Sequence, residues 1–142
     1  MGERIARVKL TVLLALLAVS SPAWAGDCPL DLGHGTGWVV FSDHYMLAFR
    51  PDPPLVEVGQ PFTLILNVCT RGGDAAELVS VEGERSETQT PMKAKPTIVP
   101  GNDGRYRAEG LVFNAPGHWD VTFDVRSKGE SERLSHEIVV KQ

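Results

Sequence analysis

Long apolar runs, cysteines and clustered basic residues are all scarce in this sequence. Its 142 residues include 2 cysteines and 14 lysines and arginines, against 18 aspartates and glutamates. The run from Leu10 to Val19, which is apolar except for Thr11, would span about 15 Å as a helix, about half of the ~30 Å core of a bilayer. The sequence therefore argues against a permanent membrane anchor, and it offers no cluster of cations for a nucleic-acid backbone.

The first 25 residues have the order of a secretory signal peptide. A basic stretch from Arg4 to Lys9 precedes the apolar run, and small residues ending at Ala25 follow it. A basic start, an apolar centre and a small-residue cleavage site are the marks of export. We expect a signal peptide at 1–25, cleavage after Ala25, and a destination in the periplasm or outside the cell, with no integral membrane segment left after cleavage.

Cleavage would leave residues 26–142, which is enough for one domain with its own core and too few for two. Removing the one acidic and three basic residues of the signal from the totals of 18 and 14 leaves 17 and 11, hence a formal charge of −6. This charge favours solubility rather than binding to nucleic acid. Residues 26–44, with several glycines, are expected to form an irregular lead-in, and 45–142 the domain.

Two cysteines remain in the exported chain, Cys28 and Cys69. An oxidising compartment favours a disulfide between them. The bridge would close a loop of about 40 residues, which the chain-entropy treatment values at about 4 kcal/mol. A reactive or metal-binding thiol pair is the alternative, but such pairs usually have a C-x-x-C spacing. We predict a structural disulfide that ties the N-terminal segment to a central strand.

Short β-rich runs separated by Pro, Gly and Asp clusters make up the rest of the chain, and no segment has helical periodicity. This pattern is typical of an all-β, antiparallel sandwich. We expect seven or eight strands. Seven of them are Tyr45–Phe49, Leu55–Val58, Phe62–Cys69, Glu77–Val81, Tyr106–Phe113, Trp119–Val125 and Arg133–Val140, and the eighth is Gly37–Phe41.

Alternation along three strands identifies the core, because successive side chains of a strand point to opposite faces of a sheet. Between Tyr106 and Phe113 the apolar parity changes at Gly110, which predicts a β-bulge near Glu109 and Gly110. The inward-facing stripes are Phe62, Leu64, Leu66 and Val68; Trp119, Val121, Phe123 and Val125; and Leu134, His136, Ile138 and Val140.

The connection from Gly83 to Gly104 is polar, contains no aromatic residue and is interrupted by Pro91, Pro96 and Pro100. We predict a long loop there. Loops of this length inside compact domains are usually either functional or poorly ordered. The segment is therefore a candidate binding region.

Several C-terminal segments resemble the YtkA-like and FixH-like domains. They are the turn and strand Asn102–Tyr106, then Gly110–Phe113 and Ala115–Val121, and the strand entry Val58–Phe62 fits the same pattern. The resemblance covers residues 45 to 140. It implies an immunoglobulin-like sandwich outside the cytoplasmic membrane, with an accessory, non-enzymatic role in respiratory-oxidase assembly or metal handling.

Members of that family often carry a Met-Pro segment rich in His and Met before the strand that opens with a Gly-x-Tyr motif, which is Gly104–Tyr106 in this sequence. This chain departs from them, because Thr90–Pro96 contains one Met, no His and two lysines. Copper is the metal to consider, since His and Met thioether ligands suit it, above all as Cu(I). The candidate ligands are His44, Met46, Met92 and His118.

Each candidate ligand has a competing interpretation. His44 and Met46 would share a strand face with Cα atoms about 6 to 7 Å apart. Met46, however, lies among apolar residues, where Met is often adaptable packing. His118 should face solvent beside Asp120, and His136 is expected to be a core or rim histidine.

No cofactor and no catalysis are expected. The sequence has no H-E-x-x-H, no G-x-S-x-G and no placed Cys-His arrangement. Asp120 and Asp124 share one strand face, which in an antiparallel sheet is usually the solvated one. The leading hypothesis is an exported binding module that recognises another extracytoplasmic protein through a sheet edge or the loop around Met92. A periplasmic copper carrier and a purely structural domain are the alternatives.

Overall fold

The structure is a computed structural model that describes Cys28, Leu30, Leu32 and residues 37–142. Within these ranges no helix has the length and apolar character needed to cross a membrane. The expected signal peptide lies outside the described residues. The strands are β1 (Trp38–Phe41), β2 (Tyr45–Asp52), β3 (Phe62–Thr70), β4 (Glu77–Arg85), β5 (Thr90–Pro91), β6 (Thr97–Pro100), β7 (Arg105–Leu111), β8 (Gly117–Ser127) and β9 (Glu130–Val140).

These strands form two antiparallel sheets packed face to face. Sheet A has the order β1-β2-β3-β7-β6, and sheet B has the order β5-β4-β8-β9. Apart from β1, the two orders correspond to strands A-B-E-D and C′-C-F-G of an immunoglobulin domain. The predicted all-β, immunoglobulin-like sandwich is confirmed, and the described residues form nine strands instead of seven or eight.

The three predicted stripes build the core between the sheets. Each of their apolar side chains is at most 4% exposed, and burial of a large apolar side chain stabilises a fold by about 1.5 to 3 kcal/mol. His136 lies at the rim, with ring centroids 5.3 Å from those of Trp38 and Phe49. Its assignment as a core or rim histidine is confirmed.

Trp119 of β8 is at the centre of the core. Its ring stacks on that of Phe113 with centroids 4.7 Å apart. The indole Nε1 donates a hydrogen bond to the carbonyl oxygen of Ala115 at 3.0 Å. A buried indole needs such an acceptor, because its N–H has lost contact with water.

The predicted bulge is present in β7. Phe62 pairs with Leu111 and Leu64 with Ala108, so β7 has one residue more than β3 between these pairs. Gly110 has a φ of +84°, a left-handed conformation that glycine adopts without steric cost. The extra residue explains the change of parity, since Ala108 and Leu111 both point into the core.

The predicted strand at Leu55–Val58 is wrong. β2 continues instead to Asp52, and the chain then leaves the sheet at two consecutive prolines, which lack the N–H group that a ladder requires. Val56 and Val58 still pack against the core. Their alternation therefore reflects burial without strand pairing.

The long loop predicted between Gly83 and Gly104 is also wrong. β4 extends to Arg85, after which the chain adds β5 to the edge of sheet B and β6 to the edge of sheet A. The crossing from one sheet to the other accounts for the length of the segment. Its prolines suggested a loop, but an edge strand tolerates proline because one of its sides makes no ladder hydrogen bonds.

The expected irregular lead-in contains a strand. β1 pairs antiparallel with β2 over all four of its residues, so in the described part of the chain the sandwich begins at Trp38. Trp38 and Val40 pack against the core, whereas Val39 and Phe41 lie on the outer face of sheet A. β1 is thereby an edge strand of sheet A.

Candidate functional site

Each sheet ends in two edge strands, and an edge strand presents unpaired backbone groups that another chain can bind. Two of the four edges in the described structure contain a proline that hinders the pairing of a further strand. β5 is only two residues long and ends at Pro91, and β6 runs from Thr97 to Pro100. Because proline has no N–H, and because the two residues of β5 offer few backbone groups, neither edge suits the addition of another strand.

The edge formed by β9 carries charged side chains. Its outward-facing Arg133 donates to Asp124 of β8 at 2.9 Å, and this hydrogen bond holds the pKa of Asp124 below its ordinary value. Its Glu137 pairs with His118 of β8 at 2.7 Å. Charged side chains along an open edge oppose the docking of an apolar strand.

The edge formed by β1 lacks both of these features. Its sequence, Trp-Val-Val-Phe, contains no charge and no proline, and such β-branched and aromatic residues favour extended structure. Val39 and Phe41 are 46% and 54% exposed. Among the described strands, only β2 pairs with β1. These four residues, Trp38–Phe41, are the candidate binding site, here named the β1 edge.

Arg71 lies across one end of the β1 edge. The guanidinium carbon is 5.0 Å from the centroid of the Phe41 ring, and Nε donates to the carbonyl oxygen of Ser42 at 2.9 Å. A guanidinium has five N–H donors, so most of them are left for a ligand. No carboxylate in the described ranges forms an ion pair with Arg71. The β1 edge thus combines apolar side chains with a cation.

The predicted disulfide between Cys28 and Cys69 is confirmed, with Cα atoms 5.8 Å apart. It holds Cys28 against the outer face of sheet A, where Arg50 Nε also donates to the carbonyl oxygen of Leu32 at 2.8 Å. Beneath the bridge lies Asn67, which is fully buried. Its Oδ1 is 3.3 Å from the sulfur of Cys28, and its Nδ2 has no hydrogen-bond partner in the part of the chain that the structure describes.

Two of the predicted copper ligands lie near the β1–β2 turn. The Nδ1 atom of His44 is 3.1 Å from Oε2 of Glu132, which belongs to β9. Met46 is half-buried in β2, opposite Phe41 on one side and Cys69 on the other. The His44 ring is therefore engaged with sheet B, while Met46 belongs to the outer face of sheet A.

The other two predicted ligands lie in or beside sheet B. Met92 packs against the core, and its sulfur is 3.0 Å from the place that a Cβ would occupy at Gly83. His118 is on the solvent-facing side of the sheet, bonded to Glu137. Among the described residues, no group of three or more His, Cys, Asp or Glu side chains is placed to hold a metal ion.

The outer face of sheet B carries a row of carboxylates. Glu84 is in register with Asp120, and Asp120 with Glu137. Ser86 Oγ donates to Asp120 Oδ2 at 2.9 Å, and His118 bonds Glu137. A row of acids with polar neighbours is typical of the solvated face of an antiparallel sheet, as the sequence pattern at Asp120 indicated.

No protein-family model, curated protein or solved structure matches this chain. The resemblance to YtkA-like and FixH-like domains therefore stays a prediction. Sequence reasoning had not identified Val39, Phe41 or Arg71 as functional residues. The uncharged, β-prone run at Trp38–Phe41 was the available signal, but only the order of the sheet shows that this run forms an edge.

Proposed function

We propose that this chain is an exported, non-enzymatic binding domain that adds an extended segment of another extracytoplasmic protein to sheet A at the β1 edge. The supporting observation is that β1, alone among the four described edge strands, has neither proline nor charge. Strand addition draws affinity from backbone hydrogen bonds and specificity from alternate side chains. Val39 and Phe41 would supply that specificity.

The proposed location has its own support. Disulfides such as Cys28–Cys69 are rare in the reducing cytosol and common in exported proteins, and the N-terminal sequence has the order of a signal peptide. The resemblance to YtkA-like and FixH-like domains favours an accessory role in the assembly of a respiratory oxidase or in metal handling.

Two matched variants test the proposed function. Val39→Lys places a charge on the β1 edge, and Val139→Lys places the same charge on β9, where the replaced valine is 53% exposed. Both changes are on the surface and should alter the free energy of unfolding by no more than about 0.5 kcal/mol. The tagged chains are expressed in the native host, crosslinked in intact cells and compared by mass spectrometry.

We expect one set of crosslinked proteins to form with the unaltered chain and with Val139→Lys, and to disappear with Val39→Lys. Crosslinked residues should map to β1 and to the turn that follows it. Adducts that persist unchanged in Val39→Lys, or that map to sheet B, would contradict binding at the β1 edge.

A further inference from the structure

The backbone groups of Val39 and Phe41 face away from β2. The N–H of Ser42 donates to the carbonyl oxygen of Tyr45 at 3.0 Å across the hairpin, so the backbone of Ser42 is directed at β2. Successive residues of a strand direct their backbone groups to opposite sides, and β1 and β2 pair without a register shift. Val40 is therefore also directed at β2, and Val39 and Phe41 are directed to the open side of β1.

This arrangement makes the β1 edge complementary to itself. If β1 of a second copy lies antiparallel beside it, with a two-fold axis at Val40, then Val39 of each copy is opposite Phe41 of the other. Each of the two pairs exchanges both of its backbone hydrogen bonds. Side chains that are directly opposite lie on the same face, and a β-branched side chain beside an aromatic one stabilises the pair. A two-fold interface requires such reciprocal contacts.

Other registers of the two β1 strands fit less well. A shift by two residues in one direction would place Gly37 opposite Phe41, which leaves the exposed ring without a side-chain neighbour. A shift by two in the other direction would place Asp43 opposite Val39, and Asp43 belongs to the turn after β1. A shift by one would set residues directed at β2 opposite residues on the open side, so the hydrogen bonds would be lost. The register with Val40 on the axis is therefore favoured.

The seam between the two strands would be free of charge. None of the four residues of β1 is charged, and the favoured register keeps Asp43 outside the pairs formed by Val39 and Phe41. Arg71 donates to the carbonyl oxygen of Ser42, which is directed at β2 and so away from the seam. Two copies thus meet without like charges opposite each other. An uncharged, apolar edge of this kind is the type that associates with another edge.

We infer that, in the absence of another protein, two copies of this chain pair through their β1 edges and join their A sheets into one continuous sheet. The consequence for regulation rests on the proposed function. Because Val39 and Phe41 each have one open side, a second copy and a segment of another protein compete for the same backbone groups. Only four residues of each copy form the seam, so the dimer is weaker than one with an interface of standard size, and a partner can displace it.

The first measurement is sedimentation equilibrium of the purified full chain over a range of concentrations. We expect the average mass to rise towards about twice that of one chain, both for the unaltered chain and for Val139→Lys on β9. Val39→Lys should keep the mass of one chain throughout, because its charge would lie in the seam beside Phe41 of the other copy. Both valines are exposed, and thermal melting verifies that both variants are folded.

The second measurement tests the register by disulfide formation between two variants. Val39→Cys and Phe41→Cys chains are mixed in a buffer of reduced and oxidised glutathione. The two new thiols are on residues whose Cα atoms would be about 5.5 Å apart, a distance that a disulfide spans. Two copies of Val39 would be roughly 8 to 9 Å apart, which is too far. We expect the mixed disulfide in excess over either symmetric one, and no such excess when Val139→Cys replaces Val39→Cys.

The failures of the two proposals differ. A single-chain mass at every concentration, a dimer that persists in Val39→Lys, or symmetric disulfides in excess would overturn the inferred pairing. None of these results would affect the crosslinking of other proteins in cells, which tests strand addition. A dimer that dissociates in Val39→Lys, together with cellular adducts that are unchanged in the same variant, would support the pairing of copies and overturn the proposed function.

Discussion

His118 and Glu137 are joined across the β8–β9 pair, with Nδ1 of the imidazole 2.7 Å from Oε1 of the carboxylate. The hydrogen bond to Glu137 raises the pKa of His118 above its ordinary value, and the negative charges of Glu137, Glu87 and Asp120 act in the same direction. Both partners are about half exposed. The contact therefore affects titration more than it affects packing.

The first prediction concerns the titration of His118. By NMR its pKa should exceed 6.5 and return towards that value in Glu137→Gln, but not in the control Glu82→Gln on the same face. A folded pKa above the unfolded value gives a stabilisation that is complete below about pH 6.5 and is lost as the pH rises through the folded pKa. Glu137→Gln should thus lower the free energy of unfolding more at pH 5.5 than at pH 9, and an equal loss at both would contradict the ion pair.

The second prediction concerns His136, which titrates in the opposite direction. Its ring lies against those of Trp38 and Phe49, and burial lowers its pKa below the ordinary value. A lowered folded pKa gives a stabilisation that is complete above about pH 6.5 and is lost as the pH falls through the folded pKa. Trp38→Ala should admit water and raise the pKa of His136 by NMR. A pKa above 6.5 in the unaltered chain would show that the ring is not buried.

The third prediction compares two glycines with left-handed backbones. Gly104 and Gly129 have φ values of +79° and +82°. A Cβ at Gly104 would collide with the carbonyl oxygen of Val68, whereas a Cβ at Gly129 would meet nothing within 4 Å. Gly129→Ala should cost about 1 kcal/mol for the left-handed conformation, and Gly104→Ala a further ~1 to 3 kcal/mol for the forced displacement. Urea unfolding measures both, and equal losses would refute the close approach at Gly104.

The fourth prediction concerns the disulfide. Cys28 and Cys69 are separated by 41 positions, and a loop of that length stabilises the folded state by about 4 kcal/mol when it is closed. Adding a phosphine reductant should lower the free energy of unfolding by up to about this amount. Cys28→Ser should show the same lower stability with or without the reductant. A reductant effect of equal size in Cys28→Ser would have to come from something other than the bridge.

Much of the architecture could be predicted because it depends on local patterns. The stripe Trp119 to Val125 indicated a buried strand face, and the change of parity at Gly110 indicated the bulge. Leu55–Val58 misled because Val56 and Val58 are buried without being paired, and alternation reports burial alone. The prolines between Gly83 and Gly104 misled because they break central strands but are compatible with edge strands.

The candidate site was harder to predict. Val39 and Phe41 matter only because no described strand other than β2 pairs with β1, and Arg71 matters because it crosses from the end of β3 to Phe41. His118 and Met92, which suggested a metal site, are 26 positions apart in sequence and bind different neighbours. Residue types alone could not show which of them share a surface.

The sequence by itself determined that this chain folds as a β-sandwich with a disulfide, because alternation and cysteine content are properties that each segment carries independently of the others. Only the tertiary structure decided which strands became edges and which of those edges stayed open. The reason is physical: the order of strands in a sheet depends on pairings between segments far apart in the chain, such as β3 with β7, and no local pattern encodes them.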